Sequence, residues 1–237
     1  EDAAANPVLF YHAKVFGSLL FCDNCAEAVK LVETYFPKGS VANSGAFWPQ
    51  DGHAVRRNWY DEFMLFRRRG MLFLGTHGRN LADEPLASYL LFHADPQNDG
   101  YLTAAELYTN EVGADLVVLS ACYSGLADRS PLPGDDLFGL QRALLHAGSR
   151  TVVAGLWDVY DGTGPELMQG LFVALAAGRS APQALAASQR GFLARLRDSD
   201  EVEPWLHPYF WAVYNVVGDD RIHCEEIALR GRGTANP

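Results

Sequence analysis

Two segments of this chain share one design: four apolar residues, a short polar step, then a side chain able to do chemistry. They are Met71-Leu72-Phe73-Leu74-Gly75-Thr76-His77-Gly78 and Leu116-Val117-Val118-Leu119-Ser120-Ala121-Cys122-Tyr123-Ser124-Gly125. A continuous apolar run fits a strand buried on both faces. Each reactive residue then falls just past the carboxyl end of a strand, where α/β sheets build their sites. If the two strands are neighbours, His77 and Cys122 project from one sheet edge. A thiol to attack and an imidazole to manage protons are what nucleophilic catalysis needs. Gly78 and Gly125 let backbone N–H groups approach a substrate carbonyl, which makes the amides of Gly78 and Cys122 the candidate oxyanion hole. Taken alone, a Cys after a buried strand is more often a small core hydrophobe. The pairing is what favours chemistry.

Short apolar strands alternate with amphipathic helices elsewhere, the pattern of an α/β sheet covered on both faces. The spacing predicts a strand over Ser18–Cys22 and a helix through Ala28, Val29, Leu31, Val32 and Tyr35. A short strand over Val41–Phe47 and a polar helix from Asp51 to Arg69 precede the His segment. Beyond it come an outlying strand, Leu86–His93, a turn at Asn98-Asp99-Gly100 and a capping box at Thr103-Ala104-Ala105-Glu106. Asp136–His146 reads as a helix stopped by Gly148, and Thr151–Leu156 as the third buried strand. Helices over Gly164–Ala177 and Ala181–Leu196 lead to an aromatic strand over Tyr209–Val217 and a polar, frayed tail after Asp220.

The 237 residues, 49% apolar and 20% charged, suit one globular domain over 1–237, with 1–17 and 220–237 peripheral. Nineteen basic against 29 acidic side chains leave a formal net charge of −10. Such a chain repels polyphosphate, which argues against nucleic acid or an anionic membrane as partner. No apolar stretch approaches bilayer length, and no signal peptide opens the chain. The start, EDAAANPV, lacks a Met and suggests a piece excised from a longer protein. Four cysteines make no disulfide framework, so a reducing, cytoplasmic compartment is expected.

The paired block-then-His-Gly and block-then-Ala-Cys pattern resembles that of the caspase-like cysteine peptidases, and the wording looks like their CHAT domain. The pieces carrying it are Thr76-His77-Gly78, Asp99-Gly100-Tyr101-Leu102-Thr103-Ala104-Ala105-Glu106 and Leu119-Ser120-Ala121-Cys122. Gly139-Leu140, Arg142-Ala143, Ala147-Gly148, Leu156-Trp157, His207-Pro208-Tyr209-Phe210-Trp211-Ala212 and Gly218-Asp219 follow in order. The resemblance covers about Ala26 to Asp219. It implies a three-layer α/β/α sandwich with a mostly parallel central sheet, and peptide-bond hydrolysis with His77 and Cys122 as the dyad. It implies no metal and no cofactor. The partners would be a protein or peptide substrate and regulatory domains or a partner protein. A mobile pocket loop is expected at Asp128–Gly134, rich in Pro, Ser and Gly. Metacaspases read a basic residue partly with an Asp two positions before their Cys, where this chain has Ser120. The acids left to read Arg or Lys before the scissile bond are Asp158, Asp161, Asp135 and Asp136. Asp158 and Asp161 have a plainer reading as caps of the helix near Gly164, and Arg79 beside His77 pulls toward an acidic substrate.

Other readings compete. The fold could be a catalytically silent interaction module. Cys22-Asp23-Asn24-Cys25 has redox or zinc spacing, with His12, His223 and Cys224 as distant candidate ligands, but a packed helix start explains it more simply. Asp95–Glu106 partly matches a calcium loop, yet Pro96 and the strand before it fit badly. The aromatics Tyr209, Phe210, Trp211 and Tyr214 read as a buried strand edge rather than a ligand platform, and Arg67-Arg68-Arg69 as a solvated helix end.

Overall fold

The computed structural model describes residues 10–13, 17–22, 71–91, 99–122, 125, 139–160, 162–198 and 204–222. The strands are β1 (Phe10–Ala13), β2 (Gly17–Cys22), β3 (Met71–Arg79), β4 (Tyr89–Leu91), β5 (Tyr101–Thr103), β6 (Leu116–Ser120), β7 (Thr151–Gly155) and β8 (Tyr214–Gly218). The helices are α1 (Ala104–Thr109), α2 (Leu140–His146), α3 (Gly164–Ala176), α4 (Ala181–Arg197) and the single turn α5 (Pro208–Trp211).

Six strands form the main sheet in the order β1-β2-β3-β6-β7-β8. β3, β6 and β7 are parallel, β2 and β8 run against them, and β1, antiparallel to β2, runs with them. Four of the six strands therefore point one way, and the sheet is mostly parallel. β3 outruns the sheet, and its last residues, His77–Arg79, pair with β4, which pairs in turn with β5.

Alternation along the strands sorts the core into two layers. Met71, Phe73, Leu116, Val118, Val153 and Tyr214 face α3 and α4, joined by Leu167, Leu171, Phe172, Leu185 and Phe192. Leu72, Leu74, Val117, Leu119, Val152 and Ala154 face α1 and α2, joined by Leu107, Leu140 and Leu144. The result is a three-layer α/β/α sandwich. Both faces of β3 and β6 are covered, which is why their sequences are unbroken apolar runs rather than alternating ones.

Local signals set the helix ends. Thr103 Oγ1 accepts from the Glu106 N–H while the Glu106 carboxylate accepts from the Thr103 N–H, the reciprocal box the sequence announced. Ser180 and Gln183 repeat the device at the start of α4. At the far end of the sheet from the reactive residues, Arg150 pairs with Asp219 at 2.8 Å and Asp115 at 3.4 Å, tying β8 to the starts of β6 and β7.

Several expectations are corrected. Tyr209–Val217 is not one strand: Pro208 opens the turn α5, with the His207 ring accepting from the Tyr209 N–H, and β8 begins only at Tyr214. Tyr209 is 40% exposed rather than part of a buried edge. The strand expected over Leu86–His93 is a 3-10 turn, Pro85–Ala87, followed by the three residues of β4. Ile222, placed in a frayed tail, is fully buried. The helix through Ala28–Tyr35, the strand Val41–Phe47, the helix Asp51–Arg69 and the loop Asp128–Gly134 lie outside the described residues, as do Cys25, Asp95, Pro96, His223 and Cys224.

Candidate active site

β3 and β6 are adjacent and parallel, with Gly75 level with Ser120. Two residues further on stand His77, which lies inside β3 rather than past its end as expected because β4 extends the pairing, and Cys122, two residues past the end of β6. Strand periodicity puts both on the face shared by Met71, Phe73, Leu116 and Val118. His77 is exposed and Cys122 half-buried. The backbones are in contact as well. A Cβ added to Gly78 would stand 3.1 Å from the Ala121 Cβ and 3.1 Å from the Cys122 carbonyl oxygen. With a side chain at 78 the Cys turn would have to give by a few tenths of an ångström.

The third wall comes from the segment after β7. The backbone N–H of Val159 donates to Cys122 Sγ at 3.4 Å. Gly155, at the end of β7, faces the Ala121 carbonyl so closely that a Cβ there would be 2.5 Å from its oxygen. Past the cysteine, the Gly125 N–H donates to the Gly155 carbonyl at 2.7 Å, which draws the Cys turn back onto β7. Gln141 on α2 and Asn215 on β8 bond each other at 2.8 Å alongside Gly125.

An aromatic block backs this wall. Trp157 stacks on Tyr209 with ring centroids 6.2 Å apart, and its indole N–H donates to the Tyr209 carbonyl at 2.8 Å. Tyr160, Trp205 and Phe210 contact one another edge to face or tilted. Partial burial raises the pKa of the Tyr209 phenol, and the negative charges of Asp158 and Cys122 raise it further. Those two groups thus lie within electrostatic reach of one hydroxyl.

Of the acids read from sequence, Asp158 is exposed and stands one residue before Val159, the donor to Cys122 Sγ. It does not cap α3, whose N-cap position is held by Thr163. Asp135, Asp136 and Asp161 lie outside the described residues. Arg79 is exposed two residues beyond His77, and Cys22 ends β2, which is adjacent to β3. Among the described residues, no group of three His, Cys, Asp or Glu side chains could hold a metal ion. None of their helices is long and apolar enough to cross a membrane.

Sequence reasoning missed the Val159 amide, since any residue but proline supplies an N–H. It also missed Gly155, although a signal existed: Gly75 and Gly155 each follow an apolar strand run, and they flank Ser120 in register.

The mostly parallel α/β/α sandwich is that of a domain related to the caspase-like cysteine peptidases. The CHAT domain family model matches residues 29–219, and the chain belongs to that family. Among curated proteins none matches it.

Proposed function

We propose that this protein is a cysteine endopeptidase that cuts a protein target through Cys122 and His77. The observation supporting this reading is that the parallel neighbours β3 and β6 lie in register, one carrying His77 and the other leading into Cys122. Cys122 as thiolate attacks the scissile carbonyl and forms an acyl-enzyme. His77 protonates the leaving amine and then activates the water that releases the acyl group. The N–H groups of Gly78 and Cys122 receive the developing oxyanion. Asp158, exposed at the rim, reads a basic residue before the cut. The reaction needs no metal or cofactor, and it is controlled by further domains or a partner protein.

A peptide-library cleavage screen tests this. Cys122→Ala and His77→Ala should each lower kcat/KM by about a thousandfold or more, while circular dichroism stays native. Cleavage retained by purified Cys122→Ala would remove the assignment.

A further inference from the structure

We propose that the backbone N–H of Val159 holds the Cys122 sulfur as a thiolate, and that Trp157 and Thr163 are the positioning residues that keep this donor in place. The inference extends the reading of Cys122 as nucleophile, and its test is independent of cleavage.

The starting point is the 3.4 Å contact from the Val159 N–H to Sγ. A donor aimed at sulfur stabilises the thiolate more than the thiol, because a hydrogen bond to the charged form is the stronger one. A flexible loop would spend such a bond on water. This loop is fixed on both sides of Val159. Upstream, the Leu156 N–H donates to the Val213 carbonyl at 2.7 Å, and the Trp157 indole N–H to the Tyr209 carbonyl at 2.8 Å. Downstream, the N–H groups of Thr163 and Gly164 donate to the Tyr160 carbonyl at 3.0 and 2.8 Å. The Thr163 hydroxyl, on a residue only 3% exposed, donates to the Phe210 carbonyl at 2.9 Å. Both side-chain anchors reach the same turn, α5. The Val159 methyls close the arrangement, one 3.2 Å from a Cβ placed on Gly155 and the other 2.8 Å from one on Gly164.

The surrounding charges show why such a donor is needed. Among the described residues, titratable groups on the elements that reach Cys122 include His77 on β3, Asp158 next to Val159 in the same loop, and Tyr209 on α5, whose phenol feels the charges of both Asp158 and Cys122. A carboxylate next to the nucleophile disfavours a second negative charge. Against that charge the Val159 N–H points its positive end at the sulfur. The amide does so at every pH, without taking or giving a proton.

The test is alkylation of Cys122 by iodoacetamide from pH 5 to 10, with the Cys122 peptide resolved by mass spectrometry. Trp157→Phe keeps an aromatic ring without the N–H, and Thr163→Val keeps the shape without the hydroxyl. If each loosens the loop enough to raise the thiol pKa by about one unit, the thiolate fraction at low pH falls about tenfold. The remaining thiolate is more basic and about threefold more nucleophilic. Alkylation should therefore run about threefold slower than wild type below pH 7 and about threefold faster near pH 10. The crossing is the signature, since general loosening moves both arms together. Profiles that superpose on wild type, or differ by one constant factor, in both natively folded variants overturn the proposal. Crossing profiles in a protein that cleaves no peptide keep the amide's role and defeat the peptidase reading instead.

Discussion

Ser120 and Tyr214 share a hydrogen bond of 2.9 Å that spans β7 above the bare backbone of Gly155. Gly75 lies level with Ser120 on its other side, so the row beneath the reactive residues is Gly75, Ser120, Gly155 and Tyr214. Gly155, the glycine between them, leaves room for a serine and a tyrosine to meet across a strand. The strand carrying Cys122 is thereby tied to the edge strand β8. Ser120, two positions before Cys122 where metacaspases carry an acid, makes this neutral bond instead.

Gly155→Ala should therefore damage the site as well as the fold. The new methyl would stand 2.5 Å from the Ala121 carbonyl oxygen, a backbone atom that cannot rotate away. We expect a loss of about 1–3 kcal/mol, in the range of overpacking a dense core. Slower alkylation of Cys122 should accompany it, as the Cys turn lifts off β7. Urea denaturation and thiol labelling together check this, and a variant with wild-type values in both would refute it.

The Ser120–Tyr214 pair can be isolated by a double-mutant cycle. Ser120→Ala and Tyr214→Phe each remove one partner of this bond, at about 1 kcal/mol apiece. The cost of the double variant should fall short of the sum of the single costs by at least about 0.5 kcal/mol. Strict additivity would show that the bond contributes nothing.

Much of this arrangement was readable in the sequence because its causes are local. Leu116-Val117-Val118-Leu119 and Thr151-Val152-Val153-Ala154 announce strands buried on both faces. Thr103 and Glu106 announce their helix by spacing alone. What escaped was non-local. β3 runs on through Gly75-Thr76-His77-Gly78-Arg79, a stretch without strand propensity, because β4 supplies a partner for His77–Arg79. β1 has only four residues and is defined by its pairing with β2. Tyr209, Phe210 and Trp211 carry strand-forming aromatics, but Pro208 fixes its own φ and starts a turn, and the backbone preference prevails over the side-chain one. His77 and Cys122 stood out in the sequence because a reactive residue type follows an apolar strand run in both places. The Val159 amide was not, because it belongs to the backbone.

The Arg150–Asp219 link predicts an acid dependence of stability. The Arg221 N–H, then the Arg150 guanidinium, hold the Asp219 carboxyl down from 3.8 to about 2. A lowered folded pKa contributes stability above the unfolded value and loses it as pH falls through the folded one. The contribution should be full above pH 4 and disappear toward pH 2. Asp219→Asn should melt below wild type at pH 7, and the gap should close between pH 4 and 2. A gap that stays constant over that range would detach the carboxylate from the effect.

Substrate choice is the sharpest test of the rim. Asp158 is exposed, so its attraction for a guanidinium or ammonium is screened and amounts to about 1 kcal/mol, or roughly fivefold in kcat/KM. Asp158→Asn should lower cleavage after Arg and Lys by about that factor and leave cleavage after neutral residues unchanged. Raised salt should erode the wild-type preference in the same direction, because exposed charges beyond a Debye length are screened. Arg79, exposed beyond His77, acts in the opposite sense, so Arg79→Ala should sharpen the preference for a basic residue. Asp158→Lys, which puts a like charge against the basic side chain, should reduce such cleavage further than Asp158→Asn does. Matched peptide series differing only in the residue before the cut measure all four effects. Cleavage after Asp or Glu in the wild type, or selectivity unchanged in Asp158→Lys, would transfer the reading of the substrate to other residues.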